Sequence, residues 1–415
     1  MPRLRLTLLS MAKKMWPKVT AYALLGVGSA LAAAAFKGYI SEELSRVVDR
    51  NTANNILTIL ASSMLAVTTF SLSTMVSAYS AATSNVTPRA TRLITEDKTT
   101  QNVLSTFLGS FLFSLVGIIA LNMGVYEGGG RFILFVVTLG VIVLIVITLI
   151  RWIERLTSLG RVSETSRLVE VAAAKAMAAR ARKPAFGCSR LVRPPAPVPP
   201  AWVVKATQSG YVQFFDAERL AKVAAENDFD IFVTAMPGKF VGKGDALALP
   251  AGELPEGGRV EAQKCFTIGD ERVFEQDPRF GVCVLAEIAC RAASAAINDH
   301  GTLIDVIGRL GRVLELYATE LRQEDDVEFK RLWVPELSPD DLFEDAFSSL
   351  ARDAAAAFGV QVRLQKTLVR LGSLGRDYLE SARKYSNLAL RYAEDKLLLD
   401  EEKEALASIA RRLDG

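Results

Sequence analysis

Residues 56–82 read ILTILASSMLAVTTFSLSTMVSAYSAA. No charge interrupts this run, and as a helix rising about 1.5 Å per residue it is long enough to cross a hydrocarbon core of about 30 Å. Three further uncharged stretches match it: Val19 to Phe36, Val103 to Val125 and Phe132 to Ile150. Half of the 415 residues are hydrophobic, which exceeds an ordinary soluble mixture, and the excess falls between Val19 and Ile153. The expected fold is therefore an α-helical integral membrane domain of four transmembrane helices over residues 1–153. A secretory leader is the rival reading of the first stretch, but three more apolar stretches follow it and favour a retained helix.

Lysine and arginine placement predicts the orientation, since cytosolic flanks carry their excess. Arg3, Arg5, Lys13, Lys14 and Lys18 precede the first stretch, and Arg89, Arg92 and Lys98 separate the second from the third. Eight basic residues from Arg151 to Lys183 follow the fourth, whereas the other side holds Lys37, Arg46, Arg50 and Arg131 among acids. The expectation is a multi-pass protein of a bacterial inner (plasma) membrane with both termini cytosolic. A net charge of +3 gives no global case for nucleic acid. The partners expected are the lipid bilayer and further copies of the chain.

The second stretch carries hydroxyls in a pattern. At about 100° per residue, Ser62, Ala66, Thr69, Ser73, Ser77, Ser80 and Ser84 fall within an arc of about 80°. Thr68, Ser71 and Thr74 lie off it, so the hydroxyls are concentrated there without being confined to it. One reading is close helix packing with hydroxyls bonded back to the chain. The other is a water-filled path lined by these side chains in an oligomer. No Asp, Glu, Lys, Arg or His sits mid-span, which argues against a proton-driven transporter.

From Arg151 to Lys183 the pattern continues as a helix, and residues 154–201 are expected to form a basic helical stalk and a linker rich in proline (Pro194-Pro195-Ala-Pro197-Val-Pro199-Pro200). Short apolar runs punctuated by glycine then predict a cytosolic α+β domain. Ser209-Gly210-Tyr211-Val212 and Pro237-Gly238-Lys239-Phe240-Val241 resemble the two half-motifs of barrel-sandwich hybrid domains of the lipoyl and biotinyl carrier type. The resemblance implies a small β-module over 202–271, with a helical insert at Asp216 to Asn227. No Met-Lys-Met follows Leu249, so neither a biotinyl nor a lipoyl group, nor any other cofactor, is expected.

Residues 272–415 read as a helical cytosolic domain, with helices at Gly281 to Ala296, Thr302 to Leu321, Asp340 to Phe358, Gln361 to Leu374 and Asp377 to Lys396, and a last one ending near Leu413. Glu275 and Asp277, with Asn298 and Asp299, form a candidate polar cluster; helix caps, Asp299 among them, are the plainer explanation. Cys188, Cys265, Cys283 and Cys290 lack metal-ligand spacing, and one histidine, His300, is too little for a zinc site, so no metal is expected.

Ser84-Asn85-Val86-Thr87-Pro88-Arg89, the Ser209 and Pro237 pieces, Glu275-Gln-Asp-Pro-Arg-Phe-Gly281 and Ala296-Ile-Asn-Asp299 together resemble a bacterial predicted membrane protein family that carries only a domain-of-unknown-function label. The likeness runs over nearly the whole chain, though His300 stands where that family has proline. It implies the architecture and supplies no activity. Two functions stay open: an oligomeric inner-membrane pore or passive transport protein with a cytosolic vestibule or gate, and a membrane-anchored scaffold or sensor whose cytosolic domain binds a protein or small ligand. With no nucleophile elbow and no phosphate loop, the chain is not expected to be an enzyme.

Overall fold

The structure is a computed structural model that describes residues 49–95, 97–124, 129–158, 160–193, 195–320 and 327–414, with isolated positions between 17 and 28. The chain divides into two units, Met1–Glu164 and Thr165–Gly415.

In the first unit, three helices carry the long apolar stretches: α1 (Arg50–Asn85), α2 (Lys98–Asn122) and α3 (Gly129–Leu156). Each contains a segment long and apolar enough to cross a membrane, at Arg50–Ala81, Thr99–Asn122 and Gly130–Leu156. Apart from isolated positions up to 28, the stretch expected at 19–36 lies outside the described residues. Leu57, Leu60 and Met64 of α1, Phe107 and Phe113 of α2, and Leu134, Val141 and Trp152 of α3 form one core. Gly117 brings α2 close, since a Cβ there would lie 3.1 Å from a Leu57 methyl. Asp97 caps α2 through the Thr100 N–H at 3.1 Å, and Arg155 pairs with Asp97 at 3.1 Å and Glu164 at 2.7 Å.

The helix expected to run unbroken from Arg151 to Lys183 is interrupted. It stops at Leu156, the chain turns at Gly160 (φ +76°), and α4 begins at Val162 and ends at Arg182. Glycine adopts that left-handed angle without strain, which makes this an economical place to end one helix and start another. Nor does α4 stand free as a solvated stalk. Val169, Ala173, Ala176, Met177 and Arg180 are buried on one face, and Glu170 accepts from Arg312 Nε at 2.6 Å.

The described residues of the second unit include eight strands: β1 (Cys188–Arg190), β2 (Val204–Lys205), β3 (Gly210–Phe215), β4 (Ile231–Val233), β5 (Phe240–Val241), β6 (Ala246–Pro250), β7 (Phe266–Gly269) and β8 (Phe329–Val334). They form a five-stranded sheet in the order β1-β8-β4-β6-β2 and a three-stranded sheet in the order β5-β3-β7. This pairing does not confirm the barrel-sandwich-like module expected over 202–271. Strands of that region are divided between two sheets, and β1 and β8 enter from outside it, β8 running parallel to both β1 and β4. Helix α5 (Ala217–Glu226) occupies the insert, capped by Asp216, and α6 (Glu256–Lys264) precedes β7.

Among the described residues that follow are six α-helices: α7 (Pro278–Ala293), α8 (His300–Glu320), α9 (Pro339–Asp353), α10 (Phe358–Gly372), α11 (Arg376–Lys396) and α12 (Asp400–Ala410). The region was expected to be helical almost throughout, yet β8 lies inside it. Phe329-Lys-Arg-Leu-Trp-Val334 buries Leu332 and Val334 between neighbouring strands and leaves Lys330 and Arg331 in solvent. Phe343 and Phe347 of α9 meet Tyr378 and Tyr385 of α11 in an aromatic cluster, with ring centroids 5.4 Å apart for Phe343 and Tyr378.

Candidate functional site

The hydroxyl stripe can be placed directly. Ser62, Thr69, Ser73, Ser77 and Ser80 are all exposed on α1; the Ser84 side chain lies outside the description. Ala53, Leu57, Leu60, Ala61, Met64, Ser71 and Ala78 are buried on the same helix. At about 100° per residue, the centre of the stripe lies about 170° from the centre of that packed face. Ser62 donates to Ile59 O at 3.1 Å and Thr69 to Ala66 O at 2.9 Å, so part of the stripe is satisfied by its own helix. Phe70 and Val76 flank it, 64% and 58% exposed.

The acidic cluster is taken apart. Asp277 caps the start of α7, accepting from Phe280 N–H at 3.1 Å, whereas Asn298 and Asp299 follow the far end of that helix, about 24 Å away along 16 residues. Asp299 accepts from Thr302 N–H at 3.0 Å and from its hydroxyl at 2.6 Å, bonds that hold its carboxyl below the ordinary range. That pair starts α8 as a cap. Glu275 is exposed.

Asp277 instead opens onto a cavity of about 420 Å³ inside the second unit. Four cations line it: Arg180 at the end of α4, Lys239 in the turn before β5, Arg272 after β7, and Arg279 in the first turn of α7. Three carboxylates share the wall: Asp277, Glu336 and Asp341. Most of these charges are matched. Arg272 grips Asp277 with two parallel bonds of 2.8 and 3.0 Å, the planar fork suited to a carboxylate. Burial pushes the Asp277 carboxyl above its ordinary range, against Arg272, which favours its charged form. Arg279 donates to Asp345 at 2.6 and 3.1 Å and to Asp341 at 2.8 Å, and Glu336 pairs with Arg190 at 3.0 Å. Lys239 Nζ donates to Thr234 O at 2.9 Å.

The close approach of the Pro237-Gly238 turn to this pair explains its glycine. Gly238 has φ +96°, and a Cβ there would lie 2.6 Å from Asp277 Cγ. Only glycine leaves room for the carboxylate at that angle.

Among the described residues, Lys239 and Arg180 are left without a carboxylate, and of the two it is Arg180 that is buried. Its residue is 8% exposed, its guanidinium stacks 4.1 Å from the Phe186 ring, and its Nε and Nη1 have no hydrogen-bond partner among the described residues. Burial pulls its pKa down to about 10, with Tyr317, Asp277 and Glu336 opposing, so the group stays cationic at neutral pH. In the sequence Arg180 counts as one more basic residue after the last membrane stretch. Its helical phase gives it away, because it falls with Val169, Ala173, Ala176 and Met177 inside an arc of about 100°.

These features define a membrane protein: helices able to span a bilayer, joined in one chain to an α+β unit with a charged cavity. More narrowly, the chain belongs to the family described as Predicted membrane protein (DUF2254), whose model matches residues 12–370. Among curated proteins, Uncharacterized protein Mb1321c of Mycobacterium bovis and Uncharacterized protein Rv1290c of Mycobacterium tuberculosis are each 26% identical over 319 residues, covering 72% of this chain. The chain spans 59% of the length of these relatives. No solved structure matches it.

Proposed function

We propose that this protein is a membrane-anchored receptor whose Thr165–Gly415 unit takes a small ligand into the cavity around Arg180. The observation that carries this reading is a buried guanidinium with unmet donors at the wall of a cavity large enough for a small molecule. In this reading the bilayer is an inner membrane crossed four times, residues 19–36 first, with the ligand-binding unit and both termini in the cytosol.

Binding without turnover is part of the proposal. Burial pushes the Cys283 and Cys290 thiols up to about 11 and about 12, where they are poor nucleophiles, and His300 is exposed beside a helix cap. Met236, half-buried in the cavity wall, offers the test. A library of small metabolites is screened by the apparent unfolding temperature of the full chain in nanodiscs. A ligand present at a hundred times its Kd stabilises the native state by about 2.7 kcal/mol. Met236→Trp, which fills the cavity, is expected to abolish that shift. Hits that stabilise the Trp variant equally well would place the ligand elsewhere and defeat the receptor reading.

A second reading is a homo-oligomeric pore or passive transport protein lined by α1, and the exposure of the hydroxyl stripe opposite the packed face favours it. Lipid tails are as apolar as leucine, so serines gain little by facing them, and another helix or water is the better neighbour. In a background without the native cysteines, Ser73→Cys and Ser77→Cys are expected to react with a water-soluble thiol reagent in liposomes, and Leu72→Cys is not. Equal labelling at all three positions, or at none, would remove the pore reading.

A further inference from the structure

We propose that the Arg180 cavity is an oxyanion site, taking the carboxylate or phosphate group of a small organic molecule with an apolar body; this rests on the receptor reading above and gives its ligand a charge class. A guanidinium has five donors, no acceptor, and no accessible neutral form at physiological pH. Buried without a paired carboxylate, it is costly to the fold, and the cost is relieved most fully by an acceptor that carries negative charge.

The neighbours do not provide one. Asp277 is committed to Arg272 and the Phe280 N–H, Asp341 to Arg279, and Glu336 to Arg190. With Asp277 matching Arg272, Asp341 matching Arg279 and Glu336 drawn to Arg190 off the wall, two cations of the wall, Arg180 and Lys239, have no carboxylate among the described residues, and of these the guanidinium is the buried one. Lys239 lies on the same wall with a single bond to Thr234 O, leaving protons of its ammonium for a second contact.

The rest of the wall selects the body of the ligand. Met236, Pro237, Pro278, Pro335 and Leu337 add apolar surface to the cavity wall beside its charges. A volume near 420 Å³ suits a small metabolite and excludes a folded partner. A bare cation would leave Arg180 unpaired, and a neutral amide could accept from one of its donors without matching its charge.

The test uses the full chain in nanodiscs and four probes: 3-phenylpropionate, phenyl phosphate, inorganic phosphate and uncharged benzamide. Wild type is expected to bind at least one of the acids at millimolar concentration or tighter, and Arg180→Met to weaken that binding by about 10- to 100-fold, the loss of a charge-assisted hydrogen bond. The two organic acids share a phenyl body and carry different oxyanions on linkers of similar length, so their order favours a carboxylate or a phosphate ligand, and inorganic phosphate tells whether the anion suffices without the body. Without ligand, Arg180→Met is expected to unfold at a higher temperature than wild type, since it removes an unpaired buried charge. A structural arginine would give the reverse, so a lowered unfolding temperature or failure to fold overturns the proposal. Benzamide binding as well as the acids, or acids binding Arg180→Met undiminished, overturns the anion class while leaving the receptor reading to its own Met236→Trp test. Acids that bind wild type and Met236→Trp alike sink both.

Discussion

Asp277→Asn is expected to destabilise the Thr165–Gly415 unit by about 3 kcal/mol or more, measured by urea unfolding of the full chain and followed through Trp202 and Trp333. Asparagine keeps the volume and one oxygen to cap α7, so the helix start survives. What is lost is the charge facing Arg272 in a bidentate pair whose carboxylate is 2% exposed. Breaking a buried pair from one side strands the other ion, at about 3–5 kcal/mol. The companion Arg272→Met should recover part of the loss in the double variant, because the stranded charge is then gone. Arg376, paired on the surface with Glu380 at 3.3 Å, is the contrast, and its alanine variant should change stability by no more than about 0.5 kcal/mol. A loss at Asp277 no larger than the loss at Arg376 would mean the pair contributes no more than an exposed one.

Gly281→Leu is expected to prevent folding of the second unit, and Gly281→Ala to destabilise it by about 1–3 kcal/mol, read by the same unfolding curve or by loss of protease resistance. Helix propensity argues the other way, favouring alanine over glycine in a helix interior by about 1 kcal/mol. Packing decides. A Cβ at Gly281 would lie 2.7 Å from Ala173 Cα, a backbone atom of α4 that no rotamer change can move aside. The two helices must separate, and overpacking of this kind costs about 1–3 kcal/mol for a single methyl and more for a branched side chain. A stabilised alanine variant would show that α4 yields at no cost.

The parts of this fold that the sequence made legible are those with local causes. Uninterrupted apolar runs in lipid have few alternatives to helix, so α1, α2 and α3 lie where residues 56–82, 103–125 and 132–150 place them. Helices α7 to α12 follow their 3.6-residue periodicity, and Asp299 was readable as a cap from its place before α8. Strand β8 was hidden because its partners, β1 and β4, are remote in sequence and periodicity carries no register between remote segments. The order of the five-stranded sheet is not legible for the same reason. At the site, Asp277 and the Pro237-Gly238 turn were noticed separately, but the cavity that joins them to Arg180 exists only once α4, the sheets and α7 have packed. Arg180 was obscured by its company, since a basic residue following an apolar span has a ready explanation in membrane topology. Its helical phase was the clue that composition conceals.

The position of β8 between β1 and β4 also sets a schedule. Ser189 and Lys330, bonded across that junction, are 141 residues apart, so at about 5–20 residues per second a ribosome releases the second roughly seven to thirty seconds after the first. During that interval β1 and β4 present unpaired edges to anything nearby, while the apolar stretches ahead of them have already left the ribosome. A chain cut short before Phe329 would keep those edges open for good, making premature termination in this gene a source of aggregates anchored at the membrane.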